Sequence, residues 1–291
     1  EKTAILLQKK VNAIEKLKEE VDMELFYEEA VNKIEAQGMA RNTIEQESLR
    51  VYLTDKQLIF AKESDSIYVA GLAYACEYIV SFMSGATKKQ LLKIASERTG
   101  LFNGIPDSLL KEFAYYYTIS IFDHIQILLA LKDFETAYTM IDEVERFWKK
   151  YKNDWDGLTN NAFFTTIYYH SSKIPRLNGN FEKIADIGKS LKKELEKRIN
   201  REDQIKSFYI VLLNMAHGYF VLGNHDSALF WIREILNDQK NMIRPDVLGF
   251  VYIFHLILQY EIGNHSILEY QIDRTKRFLS KNNHLRDFER S

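Results

Sequence analysis

The residues able to do chemistry are few, and their spacing forms no catalytic motif. The sequence contains no H-E-x-x-H, no paired C-x-x-C, no phosphate-cradling glycine loop and no G-x-S-x-G elbow. The single cysteine, Cys76, lies in an apolar stretch, where a buried and unreactive thiol is favoured over a nucleophile paired with a distant histidine. These patterns predict a protein that is not an enzyme and that holds no cofactor.

Two histidines share a local pattern that would place them on one edge of the protein. His225 and His265 each follow a Gly-Asn pair. Two imidazoles do not complete a zinc site, because three protein ligands are the minimum. Phe134 and Phe181 occupy the matching positions in related stretches, so an aromatic ring packed beneath a turn is the favoured interpretation, with metal binding as the alternative. We predict no metal site.

The elements that position these side chains are predicted to be helices. Only 3 Pro and 12 Gly occur in 291 residues, and 46% of the residues are hydrophobic. Apolar residues recur at steps of three and four, whereas alternating runs of valine, isoleucine and threonine are few. Thr43-x-x-Gln46 and Thr87-x-x-Gln90 have capping-box spacing and predict helix starts, the first for a helix that runs toward Ala61. The protein is therefore predicted to be all-α, without a sheet.

A long amphipathic helix is predicted at the start of the sequence, ending near Gly38. Between Glu1 and Glu35 the sequence has nine acids and six bases. The apolar residues recur at three- and four-residue steps, and they are Ile5, Leu7, Val11, Ile14, Leu17, Val21, Leu25 and Phe26. A dimerising coiled coil, which would make the protein a homodimer, is one interpretation. The favoured one is the first helix of a larger helical array, or the tail of an upstream repeat.

A repeated pattern is clearest around Gly223. Ala216 and Tyr219 precede this glycine by seven and four residues. Asn224 follows it directly, and Ala228 lies five residues after it. Glycine fits this position because it tolerates the left-handed backbone just past a helix end. The same frame fits three further positions, one of them with lysine in place of glycine, and they are Lys132, Gly179 and Gly263.

This order of small residue, tyrosine, glycine, Asn or Asp, aromatic and alanine resembles the tetratricopeptide repeat, a helix-turn-helix unit that stacks into solenoids. The resemblance covers roughly residues 111–280. The four turn positions lie farther apart than the usual repeat of about 34 residues, and the proline that closes the repeat is absent. The resemblance implies a right-handed α-α superhelix of antiparallel helix pairs.

The clearest loop in the sequence runs from Leu101 to Pro106 and separates two regions. Residues 1–105 are predicted to form an N-terminal helical region, with a long helix and irregular hairpins, that continues into the array. Residues 106–291 are predicted to form the repeat array. Its helix pairs are predicted over 108–131 with 134–151, 159–177 with 181–199, 204–222 with 225–238 and 246–262 with 265–281, and residues 282–291 are predicted to be frayed.

Charge and hydropathy argue against several classes of function. The net charge of -2 and pI near 6.5 lack the concentrated basic excess of nucleic-acid-binding domains, so we expect no direct nucleic acid contact. The most apolar segments, Phe208–Val221 and Val251–Tyr260, are shorter than the about 20 residues of a membrane-spanning helix. A single cysteine fits a reducing, cytoplasmic location. The sequence begins at Glu1 without methionine, which we interpret as a fragment of a longer product or a processed form.

The resemblance also implies a binding surface. In tetratricopeptide solenoids the first helix of each pair lines a concave groove, and this frame assigns to the groove Gln126, Tyr169, Lys173, Arg176, His217, Phe220 and Tyr260. Aromatic platforms with two cations suit an extended peptide or the apolar face of a helix, and Lys173 and Arg176 would engage a carboxylate. The alternative is that the longer repeats place these residues on another face.

A non-enzymatic scaffold or adaptor that binds a protein or peptide is the function that these features favour. The alternative is a ligand- or peptide-sensing regulatory module of a larger bacterial protein, because some bacterial transcriptional regulators join an upstream DNA-binding domain to a similar repeat array. A third interpretation is an enzyme with a pocket inside the array, which would require converging ionisable residues.

Overall fold

The computed structural model describes residues 2–40, 42–197, 208–237 and 245–281. Helices make up 85% of these residues, and no strand occurs among them. The prediction of an all-α protein is confirmed. The polypeptide divides into two compact units, Glu1–Met140 and Ile141–Ser291. The predicted frayed end, residues 282–291, lies outside the described residues.

The first unit contains seven helices and the beginning of an eighth among its described residues. They are α1 (Lys2–Gln37), α2 (Thr43–Arg50), α3 (Lys56–Lys62), α4 (Ile67–Met83), α5 (Lys88–Gly100), α6 (Asp107–Leu110), α7 (Ala114–Leu131) and α8 (Phe134–Tyr151), and the division between the units falls within α8. The predicted loop over residues 101–106 is present between α5 and α6.

Two predicted helix ends of the first unit are confirmed. Helix α1 stops at Gln37, and Gly38 follows with a left-handed φ of 71°. Helix α5 begins after Thr87, which forms a full capping box with Gln90. In that arrangement each residue satisfies a backbone N–H that the first helical turn leaves without a partner.

The predicted helix from Thr43 toward Ala61 is wrong in two respects. Its cap is Asn42, whose side-chain oxygen accepts a hydrogen bond from the Glu45 amide at 2.9 Å. The helix also stops early, because a 3-10 turn over Val51–Thr54 follows α2 and Asp55 caps a new helix, α3. The periodicity of the leucines continues across this break, so it did not mark the end of α2.

The core of the first unit forms where α1 packs against α4. Small side chains on α4, including the fully buried Ala73, allow the two helices to approach closely. The core cluster draws residues from α1, α2, α3 and α4, and they are Met23, Phe26, Ala30, Ile34, Leu49, Leu58, Ala61, Val69, Ala73, Cys76 and Val80. Residues 7–22 of α1 contribute none of them.

The second unit continues from α8 with six further helices among its described residues. They are α9 (Gly157–Asn178), α10 (Lys183–Lys197), α11 (Phe208–Val221), α12 (His225–Asn237), α13 (Pro245–Glu261) and α14 (His265–Lys281). Helix α9 packs against α10 and α11, α11 against α10 and α12, α12 against α13, and α13 against α14. Packing between sequential helices is compatible with a helical repeat. The right-handed superhelix stays a prediction, as does a domain boundary near residue 105.

The four predicted turn positions share a left-handed backbone. The φ angles are 65° at Lys132, 77° at Gly179, 71° at Gly223 and 81° at Gly263. After Gly223, the amide of Asn224 donates to the carbonyl of Tyr219 at 2.9 Å, which is the long hydrogen bond of a Schellman motif. Bonds of the same kind, also at 2.9 Å, follow Lys132 and Gly263. The prediction of helix breaks at these four positions is therefore confirmed.

Small residues set the closest approach in the second unit. Ala216 and Ala228 are fully buried, as the repeat frame predicts. A Cβ at Gly218 would lie 2.6 Å from Ile184 of α10, and one at Gly188 would lie 2.5 Å from the Tyr219 hydroxyl. These distances are too short for a methyl group, so α10 and α11 pack closely because both glycines lack a side chain.

All three tryptophans of the sequence belong to the second unit. Trp148 and Trp231 are buried, and the indole N–H of Trp148 donates to Asn160 at 3.0 Å. The ring of Trp155 stacks on Phe163 with the ring centroids 4.7 Å apart and the planes 8° from parallel. Aromatic packing is thus a large part of the interior of this unit.

Candidate functional site

The predicted binding residues fall on four helices. Helix α9 carries Tyr169, Lys173 and Arg176, α11 carries His217 and Phe220, α13 carries Tyr260, and α7 carries Gln126. Tyr260 and Arg176 are exposed, and the other five are partly exposed. Six of the seven therefore lie in the second unit, whereas Gln126 lies in the first. Its assignment to the same surface stays a prediction.

A buried polar network joins α9 to α11 beside the predicted cations. The guanidinium of Arg176 donates to the side-chain oxygen of Asn214, which is 1% exposed. The amide nitrogen of Asn214 donates in turn to the Ser172 hydroxyl at 3.1 Å, and that hydroxyl donates to the Tyr169 carbonyl at 3.0 Å. Ser172 thus fixes the amide nitrogen of Asn214, and the amide oxygen of Asn214 orients Arg176.

The charge of Arg176 is not neutralised locally. Among the described residues, no carboxylate lies within salt-bridge distance of its guanidinium. The amide oxygen of Asn214 carries no formal charge, so the site keeps a positive potential. Burial lowers the pKa of Arg176. Burial also lowers the pKa of His217, and the charge of Arg176 lowers it further. His217 is therefore neutral at pH 7, and its Nδ1 is buried without a hydrogen-bond partner among the described residues.

The second cation, Lys173, lies one helical turn from Arg176 against an aromatic ring. Its ammonium donates to the Tyr169 hydroxyl at 3.3 Å and lies 5.1 Å from the centroid of the ring. This contact fixes a flexible lysine side chain and reduces the entropy that it would lose on binding an anion. Sequence spacing predicted that Lys173, Tyr169 and Arg176 share a helix face, and the contact between the first two is present.

Aromatic rings follow the cluster along α11 and α13. Phe220 stacks on His225 with centroids 5.4 Å apart and meets Phe254 edge-on, also at 5.4 Å. Tyr260 meets His265 edge-on at 5.6 Å. His225 is half-buried, whereas His265 is exposed, so the interpretation of both histidines as rings packed beneath a turn stays a prediction. Within the described ranges, no group of three or more His, Cys, Asp or Glu is placed to hold a metal ion.

A second polar site, which the sequence did not indicate, lies between α12, α13 and α14. It is a cavity of about 510 Å³ lined in part by Arg233, His255, Gln259 and Arg274. Both α13 side chains are nearly inaccessible to solvent, with Gln259 1% and His255 7% exposed. The available signal was the spacing of His255 and Gln259, because two polar residues four apart in an apolar helix share one face.

The hydrogen bonds of this cavity fix the proton on His255. Asn264 donates to the Gln259 side-chain oxygen at 2.8 Å, so the Gln259 nitrogen, 3.0 Å from Nε2 of His255, donates to that ring nitrogen. The neutral imidazole therefore carries its proton on Nδ1. Burial lowers the pKa of His255, and the charges of Arg233 and Arg274 lower it further. Two cations and a neutral donor make the cavity suitable for an anion.

The first unit holds a buried thiol and a buried arginine. Burial raises the pKa of the Cys76 thiol to about 12, so the thiol is protonated at neutral pH, in agreement with the predicted inert state. Arg98, 6% exposed, forms an ion pair with Asp123 at 2.7 Å. Burial raises the pKa of Asp123, and the Arg98 charge opposes that change. We interpret this pair as a structural link between α5 and α7.

Comparison of the sequence and fold with protein-family models, curated proteins and solved structures finds no match. The resemblance to tetratricopeptide repeats therefore rests on the turn positions and on the order in which the helices pack. Across the described ranges, no helix has the length and apolar character needed to cross a membrane.

Proposed function

We propose that the second unit is a docking module that binds an extended peptide, or a segment of a partner protein, across α9 and α11. The observation that carries this proposal is Arg176, an exposed guanidinium that the buried Asn214 orients, with no carboxylate in salt-bridge distance among the described residues. A positive charge held in this way is stabilised when a ligand supplies an anion. The module acts without catalysis, as a scaffold or adaptor.

The surroundings of Arg176 suggest the chemistry of the ligand. A carboxylate, from an acidic residue or from the C-terminus of a peptide, accepts two hydrogen bonds from a guanidinium, and Lys173 one turn away adds a second cation. The rings of Tyr169 and Phe220 offer apolar platforms beside this anchor. A peptide that carries a carboxylate next to apolar residues satisfies both parts of the surface.

Peptide arrays that differ only in a free or amidated C-terminus, and in acidic or amide side chains, test this proposal. We expect the purified protein to select carboxylate-bearing peptides and Arg176→Gln to weaken their binding by about tenfold or more, because a charge-assisted bond contributes about 1.5 to 3 kcal/mol. Binding should also weaken with added salt. The control is Lys189→Gln, a cation on the exposed face of α10. Equal binding by the parent protein and the Arg176 variant would exclude the site.

A ligand-sensing regulatory module is the second candidate function, and the cavity between α12, α13 and α14 favours it. Arg233 and Arg274 with the Nδ1–H of His255 suit a small anion such as phosphate or a carboxylate. A bound anion should raise the pKa of His255, since it offsets the two arginine charges. Titration of the His255 ring by NMR, with and without inorganic phosphate, measures this change. Arg274→Gln should abolish it, whereas Arg277→Gln on the same helix should not.

A further inference from the structure

Helix α1 has two apolar faces on opposite sides. One face is buried in the core of the first unit through Met23, Phe26, Ala30 and Ile34. At about 100° per residue, Val21 and Leu25 lie on the far side of the helix from this buried face. The core of the first unit therefore leaves the second apolar face open among the described residues.

The second face is a continuous row of aliphatic side chains, which we call the α1 row. Its six members are each between 41% and 67% exposed, and they are Leu7, Val11, Ile14, Leu17, Val21 and Leu25. The row follows three- and four-residue steps over about five helical turns. Exposed apolar residues that are contiguous, rather than scattered, mark an interaction surface.

The charges of α1 are segregated along the helix. Residues 2–18 contain five lysines and one glutamate, whereas residues 19–35 contain seven acids and one lysine. An identical helix laid antiparallel would bring the basic half of each copy beside the acidic half of the other. A parallel copy would bring like charges together along the whole contact.

We propose that α1 pairs antiparallel with α1 of a second copy of this protein, through the α1 row, and that the protein is a two-fold dimer. The row is self-complementary in this direction. With the two-fold axis at Lys16, Leu7 faces Leu25 of the second copy and Val11 faces Val21 of the second copy. Such an interface is isologous, so each contact occurs twice.

The centre and the flanks of the pair fit the same register. Ile14 faces Lys18 of the second copy, whose aliphatic stem covers it while the ammonium reaches solvent. Leu17 meets Leu17 of the second copy near the axis, and Lys10 lies beside Glu24 of the second copy. In a parallel pair the two Lys18 ammonium groups would instead meet in the middle of the interface.

Sedimentation equilibrium of the whole protein over a range of concentrations tests the dimer. We expect a dimer whose dissociation constant rises on the order of a hundredfold in the Val11→Glu, Val21→Glu variant, because each substitution occurs twice in a two-fold interface. Both positions are exposed, so the helical circular dichroism of this variant should match that of the parent protein. The control is Ile44→Glu on α2, where the side chain is 82% exposed and outside the row. A monomeric parent protein, or a variant that dimerises equally well, overturns the proposal.

Cross-linking tests the direction of the pair. Leu7→Cys and Leu25→Cys variants are prepared separately and mixed, and a short bismaleimide is added; the native Cys76 is buried and does not compete. The antiparallel pair predicts a cross-linked product in the mixture and none in either variant alone. Cross-linking of the Leu7→Cys variant with itself shows a parallel pair and overturns the proposed register.

Discussion

At the scale of single residues, His170 is an ionisable ring enclosed in the second unit. Its Nδ1–H donates to the Thr166 carbonyl at 2.8 Å, one turn earlier in α9. Burial lowers the pKa of His170 to about 3, from an ordinary value of 6.5. The folded protein therefore keeps this ring neutral over a range of pH in which the unfolded state takes up a proton.

The stability of the protein should fall as the pH drops below 6.5, because only the unfolded state binds the proton of His170 between pH 6.5 and about 3. Above pH 7 the contribution is fully present. Between pH 7 and pH 5 the expected loss is about 2 kcal/mol from this residue, at about 1.4 kcal/mol per pH unit. Urea unfolding of the parent protein and of His170→Gln at both pH values measures it.

The His170→Gln variant should show a smaller pH dependence than the parent protein by about the same 2 kcal/mol. The control is His265→Gln, since His265 lies exposed at the start of α14. An identical pH dependence in the parent protein and the His170 variant would show that this ring is protonated in the folded state.

At the scale of helices and turns, Lys132 is the exception among the four turn positions. It ends α7 with a φ of 65°, in the left-handed region that glycine occupies at the other three. This conformation costs a residue with a Cβ roughly 1 to 2 kcal/mol. The backbone bond from Asp133 to the Leu128 carbonyl, at 2.9 Å, holds the turn in place despite that cost.

Lys132→Gly should therefore stabilise the protein by about 1 kcal/mol, since glycine adopts a positive φ without the steric cost. Lys132→Ala removes the charge but keeps the Cβ, and it should give no gain. Gly223→Ala places a Cβ in the equivalent turn and should destabilise by a similar amount. Thermal unfolding of the three variants measures these changes, and a gain for Lys132→Ala equal to that for Lys132→Gly would assign the effect to charge instead.

Sequence reasoning placed the turns that carry a clear local signal, but it missed one break that the apolar periodicity hides and the contacts between residues far apart in the sequence. Three of the four turns were predicted because a glycine followed by Asn acts within a few residues, and the fourth, at Lys132-Asp133, was placed by the repeat frame. The break between α2 and α3 was missed, because the apolar spacing continues through the 3-10 turn at Val51–Thr54. The role of Asn214 was missed for a different reason. Its partners Arg176 and Ser172 lie 38 and 42 residues away, and only the packing of α9 on α11 brings them together.

At the scale of the whole molecule, helices account for 85% of the described residues, and no strand occurs among them. Far-ultraviolet circular dichroism of the purified protein should therefore be that of a predominantly helical protein, without a resolvable sheet contribution. The α1 variants proposed above should retain the same spectrum, because their substituted side chains are exposed. A spectrum dominated by strand would contradict the fold.

The location of Trp148, Trp155 and Trp231 makes intrinsic tryptophan fluorescence specific to the second unit. All three indoles belong to residues 141–291, so their emission reports the unfolding of that unit and not the unfolding of residues 1–140. Circular dichroism, by contrast, records helix loss in both halves. Superimposed melting curves from the two signals would mean that both halves unfold as one cooperative block, whereas displaced curves would give each half its own melting temperature.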